Sequence, residues 1–382
     1  MALRALARVN LAAIERNVVA LRDRLTGGAE LCAVVKADAS GHGAVQTARA
    51  ALAGGATRLA VATAAEAAEL RAAGLDVPVL VLGALSSEEL PVALAAGAGV
   101  VAWNQHFVRE LAAQARTVGR GRADAVSVHI KLDSGMGRLG TRDIDEAFAV
   151  AESIRTAAPA LELVGVMTHL ATADGDLEFA AAQLAVFRPF AAALQERVGP
   201  LRVHAANSAA TLRVPASHFD MVRCGIALYG GDPMNADPDD TGLEPALELG
   251  SYVAALKRVE PGDSVGYGRH FVADRPTWIA TMPIGYADGV RRGLTNNGDV
   301  LIDGRRYPLV GAVSMDNITA DVGPGPPGVK MGARAILIGR SGEERQTVED
   351  VANRLSTINH EVLCGISARV PRHYHRDGVP VR

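Results

Sequence analysis

The first two-thirds of the chain alternate between short β-branched runs and longer stretches with apolar residues three and four apart. The short runs fall at 31–36, 59–62, 77–82, 100–103, 126–132, 163–168, 202–205 and 221–227. Stretches such as 44–53, 64–73 and 180–198 carry the helical spacing between them. Eight short strands separated by helices predict a parallel (β/α)8 barrel. An open doubly wound sheet is the competing reading, but no GxGxxG follows the first strand.

Beyond about residue 240 the texture changes. A polar, Pro-containing linker at 232–240 gives way to short alternating runs at 251–259, 278–283, 299–302, 307–313 and 335–338. Turn residues divide them: Pro261-Gly262-Asp263, Asp303-Gly304 and the cluster Gly323-Pro324-Gly325-Pro326-Pro327-Gly328. That pattern predicts a mostly antiparallel β domain, with one helix at 347–355. The expected division is a barrel over 9–240 and a β domain over 241–382 that also takes in residues 1–8.

Composition narrows the function classes. Hydrophobic residues make up 49% of 382, enough for a sizeable core. Lys plus Arg, 39, nearly balances Asp plus Glu, 42, so nothing draws the whole molecule to nucleic acid or a membrane surface. Cys32, Cys224 and Cys364 are far apart and show no CxxC spacing, so neither a disulfide framework nor a zinc site or other metal is expected. Residues 1–8 contain arginines but no uninterrupted apolar run, unlike a signal peptide. The longest uncharged apolar stretch, 91–103, is too short to span a bilayer, which needs ~20 residues. A cytoplasmic protein is the expectation.

Barrel active sites lie at the C-terminal ends of the strands. The first strand ends in Lys36, either a lysine reaching back to solvent or one whose desolvation suits covalent carbonyl chemistry. The fifth carries Lys131 and then Asp133-Ser134-Gly135-Met136-Gly137-Arg138, a turn able to hold an anion or an ordinary turn with a surface arginine. The sixth ends at His169, where a packed, hydrogen-bonded histidine is as natural as a catalyst. The seventh and eighth end in Asn207-Ser208 and Arg223-Cys224-Gly225-Ile226. A small hydroxyl and glycine-relieved backbone N–H groups there suit a phosphate. A lysine and a phosphate cradle at one barrel mouth together suggest pyridoxal phosphate. In the β domain, Gly266-Tyr267-Gly268 holds a tyrosine on a tight turn, either structural or an acid/base.

These residues form an ordered set. Val35-Lys36-Ala37-Asp38-Ala39-Ser40-Gly41-His42-Gly43 resembles the cofactor-attachment motif of alanine racemases. The likeness continues through residues 129–138, Thr168-His169, Ala206-Asn207-Ser208, residues 221–230, Gly266-Tyr267-Gly268, residues 284–289, Met315-Asp316 and residues 369–372.

The resemblance implies a pyridoxal 5'-phosphate enzyme interconverting L- and D-alanine by two bases. Lys36 would attach the cofactor and act on one face. Tyr267, from the other subunit of a homodimer, would act on the opposite face. Arg223 would face the pyridine nitrogen, and His169 would join it and Tyr267 in one hydrogen-bonded network. Arg138 would contact the cofactor's phenolic oxygen and the substrate carboxylate. Asn207, Ser208, Gly225, Ile226 and His360 would belong to the cofactor's shell, and Met315 to the substrate wall. Lys131 resembles a lysine that can be carbamylated to position Arg138.

The chain also departs from the family's pattern. Ser40 and His360 stand where tyrosines are usual, Ala312 where an arginine is common, and Cys224 where a proline follows the pyridine-facing arginine. Losing a hydrogen bond to a charged phosphate costs about 1.5–3 kcal/mol if nothing replaces it. His360 can partly substitute by pairing with phosphate when charged. The altered gate motivates an alternative: a same-fold enzyme acting on a larger or β-hydroxy amino acid by epimerisation, retro-aldol cleavage or hydroxymethyl transfer. A cofactor carrier without turnover fits less well, because a binder needs no opposite-face base. A related decarboxylase on the same barrel also fits less well, because the Tyr267 context and the short C-terminal domain resemble racemases.

Overall fold

The computed structural model describes residues 3–325 and 328–381. Pro326 and Pro327 of the predicted turn cluster, and the first two residues of the N-terminal segment, lie outside that description.

After an N-terminal strand β1 (Leu6–Asn10), the chain forms β2 (Glu30–Val34), β3 (Arg58–Val61), β4 (Val79–Val81), β5 (Gly99–Ala102), β6 (Val126–Lys131), β7 (Leu161–Met167), β8 (Arg202–His204) and β9 (Met221–Cys224). The last eight form one parallel sheet in the order β8-β7-β6-β5-β4-β3-β2-β9. Chain order is kept from β2 to β8, and β9 returns to pair β2. Two backbone bonds help close the seam between β8 and β9: Asp220 N to Val203 O, 3.0 Å, and Arg223 N to Ala206 O, 3.0 Å. The barrel is therefore nearly closed, as the alternation predicts, with each strand within three residues of its expected bounds.

The helices begin where the sequence offers caps. Thr63 and Glu66 form a capping box at the head of Ala64–Ala72. Asn104, Asp143 and Asp176 cap the helices that follow β5, β6 and β7 through backbone amides. The helix Leu177–Val198 is long and apolar enough to cross a membrane by length and composition. It nevertheless buries Ala180, Gln183, Leu184, Phe187, Phe190, Ala191 and Leu194, the inner face of an outer barrel helix. Cys32, Val34, Ala60, Leu80, Val101, Met167 and Met221 pack together from six of the barrel strands.

By contact density the barrel comprises Glu15–Ala39 and Ala44–Leu228. The second unit comprises the described residues of Met1–Ile14, Ser40–Gly43 and Tyr229–Arg382. Its strands are β10 (Leu247–Tyr252), β11 (Ala255–Val259), β12 (Ser264–Val265), β13 (Phe271–Val272), β14 (Thr277–Met282), β15 (Asp299–Ile302), β16 (Arg305–Pro308), β17 (Ile318–Gly323), β18 (Arg334–Ser341), β19 (Glu344–Gln346), β20 (Arg372–Arg376) and β21 (Val379–Pro380).

One sheet runs β16-β15-β18-β10-β1-β20-β21, with β19 on β18. A second runs β11-β14-β17. Pairing is antiparallel except between β1 and β20. The run expected at 251–259 divides between the end of β10, which begins earlier at Leu247, and the whole of β11, and the two belong to different sheets. Of the run expected at 307–313 only Tyr307 and Pro308 lie in a strand, β16, and Gly311 at φ 78° breaks the extended conformation beyond it. Thr347 and Asp350 cap the helix Val348–Arg354, inside the predicted span.

Candidate active site

Lys36 leaves the C-terminal end of β2 on an unusual turn. Ala37, Asp38, Ala39 and Ser40 all have φ between 52° and 53°, a left-handed turn built without glycine. Such residues cost roughly 1–2 kcal/mol each. Glu66 offsets part of that cost by accepting from Ala37 N at 2.6 Å, while its other oxygen accepts from Ala62 N at 2.8 Å and Thr63 N at 3.1 Å and so fixes the carboxylate in place. Asp38 accepts from Ala44 N at 2.7 Å, and Ala39 N reaches Val35 O at 2.9 Å. Gly43, at φ 92°, has no room for a Cβ, which would lie 1.8 Å from the Tyr374 hydroxyl. The turn presents Lys36 exposed at the barrel mouth.

Arg223, near the end of β9, is almost fully buried with no carboxylate partner among the described residues. Its guanidinium donates to Thr168 O at 2.9 Å, Ala205 O at 3.0 Å, His169 Nδ1 at 3.2 Å and His204 Nδ1 at 2.9 Å. Burial lowers it to about 10, which leaves it cationic near neutral pH. Burial first, and then Arg223, push His169 and His204 well below the ordinary imidazole range, so both rings are neutral. Arginine has no acceptor, so both Nδ1 atoms accept and both hydrogens sit on Nε2. His204 then donates onward to His129 Nδ1 at 2.9 Å. Gln183 holds the His169 backbone, donating to His169 O at 3.1 Å and accepting from Ala171 N at 2.8 Å.

Lys131 ends β6 and is 4% exposed. Burial, then Arg223, Arg138 and Lys36, push its amine down to about 8, against the opposing pull of Asp133. Asp133 organises the following turn, accepting from Gly135 N at 3.1 Å, Gly137 N at 3.0 Å and Arg142 Nε at 2.9 Å. Arg138 is exposed and makes no hydrogen bond or ion pair among the described residues, leaving its planar fork available.

At the ends of β8 and β9, the Ser208 hydroxyl oxygen accepts from Gly225 N at 3.0 Å and Ala227 N at 3.5 Å. Its own hydrogen stays free to donate. A Cβ at Gly225 would meet no protein atom closer than 3.7 Å, so the space before that backbone is open. Ile226 follows as the first residue of a 3-10 turn. Asn207 is committed within the barrel, accepting from Ala210 N as helix cap and donating to Leu170 O at 3.3 Å.

In the second unit, Tyr267 is 75% exposed between Gly266 at φ 75° and Gly268 at φ 69°. Met315 and Tyr286 are also exposed. Their loops are tied together: Tyr286 N donates to Ser314 O at 3.0 Å and Ala287 N to Met315 O at 3.1 Å. Buried Asp288 anchors them, paired with Arg4 at 2.6 Å and Arg369 at 3.0 Å. Ala312 is buried, its backbone against Gly266. His360 is exposed on the helix Asn359–Cys364, and Ser40 is half-buried.

The roles of His204, His129 and Gln183 escape the motif reading. A sequence signal existed for two of them. Ser127, His129 and Lys131 form a period-two polar stripe inside an apolar strand, and Arg202 and His204 form another.

Residues 9–233 match the family model for the alanine racemase N-terminal domain, and residues 246–374 that for the C-terminal domain. The chain is 42% identical over 372 residues to an alanine racemase of Thermobifida fusca, covering 96% of this chain and 97% of that protein. It is 40% identical to an alanine racemase of Geobacillus stearothermophilus, covering 97% and 93% of the two chains. The solved alanine racemase of Streptomyces coelicolor superposes with a TM-score of 0.91 at 38% identity, covering 97% of each chain. The Bacillus anthracis alanine racemase structure with bound L-Ala-P superposes at 0.89 and 38% identity, covering 99% of this chain and 96% of that one.

Proposed function

The chain belongs to the alanine racemase family and is an isomerase of that kind; from that premise we propose that it interconverts L- and D-alanine with pyridoxal 5'-phosphate. The observation that carries the reading is Arg223, a buried donor-only cation fixed between neutral histidines at the barrel mouth. The residues present fit the cofactor: an exposed lysine, an open glycine-bordered space beside a free hydroxyl hydrogen, and a guanidinium suited to a ring nitrogen.

When bound, the cofactor supplies the electron sink that makes the substrate's α-proton acidic. Lys36 attaches it and moves a proton on one face. Ser208, Gly225 and Ile226 would hold the phosphate. Arg223 would hold the ring nitrogen with a donor-only cation, which would disfavour its protonation and so limit transamination. Arg138 orients the substrate carboxylate. Tyr267, supplied by the second subunit of a cytoplasmic homodimer, moves a proton on the other face. His169, its Nδ1 held by Arg223, keeps Nε2–H for the phenolic oxygen of Tyr267. The exposed cluster of Tyr267, Tyr286 and Met315 supports that dimer, since large side chains on anchored loops are suited to a partner surface.

Once carbamylated, Lys131 would be the counter-group for Arg138. An amine lowered to about 8 is part neutral near neutral pH, the form that adds carbon dioxide. With carbon-13-labelled bicarbonate, a carbamate resonance is expected that strengthens as pH rises through about 8 and vanishes in Lys131→Ala. Its absence from the wild-type spectrum would remove this role.

The test of the overall reading places cofactor-loaded protein in deuterium oxide with single L-amino acids and follows α-proton loss together with appearance of the D-enantiomer. Exchange with inversion on alanine is the expected result. Exchange on a larger or β-hydroxy amino acid but not on alanine would overturn it in favour of a specialised enzyme. The short side chains of Ser40 and Ala312 are the observation that keeps that second reading in view. Independently of activity, Lys36→Ala is expected to lose borohydride-fixable cofactor, read by peptide mass.

A further inference from the structure

The opposite end of the barrel holds a second polar site. The N-terminal ends of the strands surround a cavity of about 210 Å³ that includes Arg58, Ser127, His129 and Arg202 in its lining. This end of a barrel normally serves stability and is packed accordingly. Here two arginines, a hydroxyl and a buried imidazole reach the same space.

The state of the imidazole is fixed from the far end. Arg223 can only donate, so His204 accepts at Nδ1 and passes its Nε2–H to His129 Nδ1. His129 is neutral, lowered to about 3 by burial and then by Arg202, Arg58 and Arg223. Its one hydrogen is therefore on Nε2. His129 is 6% exposed, and that Nε2 has no hydrogen-bond partner among the described residues. The donor of a residue more than nine-tenths buried thus opens onto the cavity, where no protein acceptor meets it.

The charges around the cavity favour an anion. Glu30 is the carboxylate on the arginines, accepting from Arg58 Nε at 3.1 Å and lying 3.5 Å from Arg202. Two guanidiniums share that one carboxylate and keep donor hydrogens in hand. Cys32 also lines the cavity, but burial pushes its thiol up to about 12, so it adds no charge. Asp220, on the neighbouring turn, is engaged by Val203 N at 2.7 Å and does not line the space.

We propose that this cavity is a binding site for a small oxyanion, held by Arg58, Arg202 and the Nε2–H of His129. The acceptor is of carboxylate or phosphate size. It is separate from the substrate site, from which the Arg223–His204–His129 chain divides it. Occupancy gives His129 an anionic acceptor and extends the hydrogen-bonded chain of the barrel core into the cavity.

The test uses cofactor-loaded, borohydride-reduced protein, so that the cofactor's own phosphate site is filled. Inorganic phosphate and acetate are titrated separately in an amine buffer at constant ionic strength, following the His129 ring N–H resonance. Saturable movement of that resonance with either probe is expected; the probe that binds more tightly identifies the class. Arg202→Gln, at a partly exposed position, is expected to weaken binding about tenfold or more, the effect of losing one charge-assisted hydrogen bond. Ser208→Ala, at the cofactor's end, is expected to leave it unchanged. If the His129 signal does not move with either anion, or moves equally in wild type and in Arg58→Gln and Arg202→Gln proteins of native fold, the cavity is not an oxyanion site.

Discussion

Tyr267→Phe is expected to lower racemisation by roughly 10²–10⁴-fold, the range for loss of a positioned general acid/base. The loss should be one-sided. Racemisation needs a proton to leave one face and another to arrive on the opposite face. With Lys36 intact, α-proton exchange into deuterium oxide should continue for one alanine enantiomer and collapse for the other, while inversion falls for both. The fold should be undisturbed, because Tyr267 is 75% exposed and its backbone is set by the flanking glycines. Mixing Tyr267→Phe and Lys36→Ala subunits supplies the second readout. If the base comes from the other subunit, heterodimers should regain part of the activity that neither homodimer has. Unchanged racemisation in Tyr267→Phe would falsify the two-base assignment.

Arg223→Ala should be the most destabilising substitution at the barrel mouth. It orphans Thr168 O, Ala205 O, His169 Nδ1 and His204 Nδ1, all of which accept from the guanidinium. An unsatisfied buried acceptor costs about 1–3 kcal/mol, while removing a buried charge returns its desolvation cost. The net expectation is a loss of about 1–3 kcal/mol, read from the urea midpoint at constant slope.

Arg223→Lys separates structure from chemistry. It keeps a cation but loses the planar fork, so it cannot serve the four protein acceptors together with the ring nitrogen proposed for it. Racemisation should fall by roughly 10²–10³-fold, as for loss of one preorganised donor. A slow transamination side reaction should appear as the ring nitrogen becomes easier to protonate. Wild-type stability in Arg223→Ala would show that the four acceptors find other donors, and the hub would then not be structural.

The barrel was legible because its evidence is local. Each strand is a short β-branched run, each helix has its own period, and caps such as Thr63 with Glu66 lie within a few residues of the ends they satisfy. The β domain was less legible. The run read at 251–259 joins the last two residues of β10 to all of β11, yet these pair into different sheets, a choice made by partners far along the chain. Strand β17 went unpredicted; its alternation is short and its identity comes from pairing with β14.

By itself, the sequence determined the order of the parts and the chemistry available: Lys36 after the first barrel strand, Arg223 near the end of the last, Tyr267 between two glycines. Tertiary structure decided which polar side chains act together. Period-two alternation says that Ser127, His129 and Lys131 share a face, and that Arg202 and His204 share another. It does not say that those faces meet. They meet because β6, β7 and β8 pair side by side while β9 pairs with β2, bringing Arg223, His204 and His129 into one core. The left-handed turn at Ala37–Ser40 is of the same kind. Non-glycine residues hold that conformation with help from Glu66, nearly thirty positions away, which accepts from the first amide of the turn, Ala37 N. Burial supplies the rest: low-dielectric surroundings and the Arg223 charge keep the histidines neutral and the Lys131 amine near 8, and neither influence exists until the barrel closes.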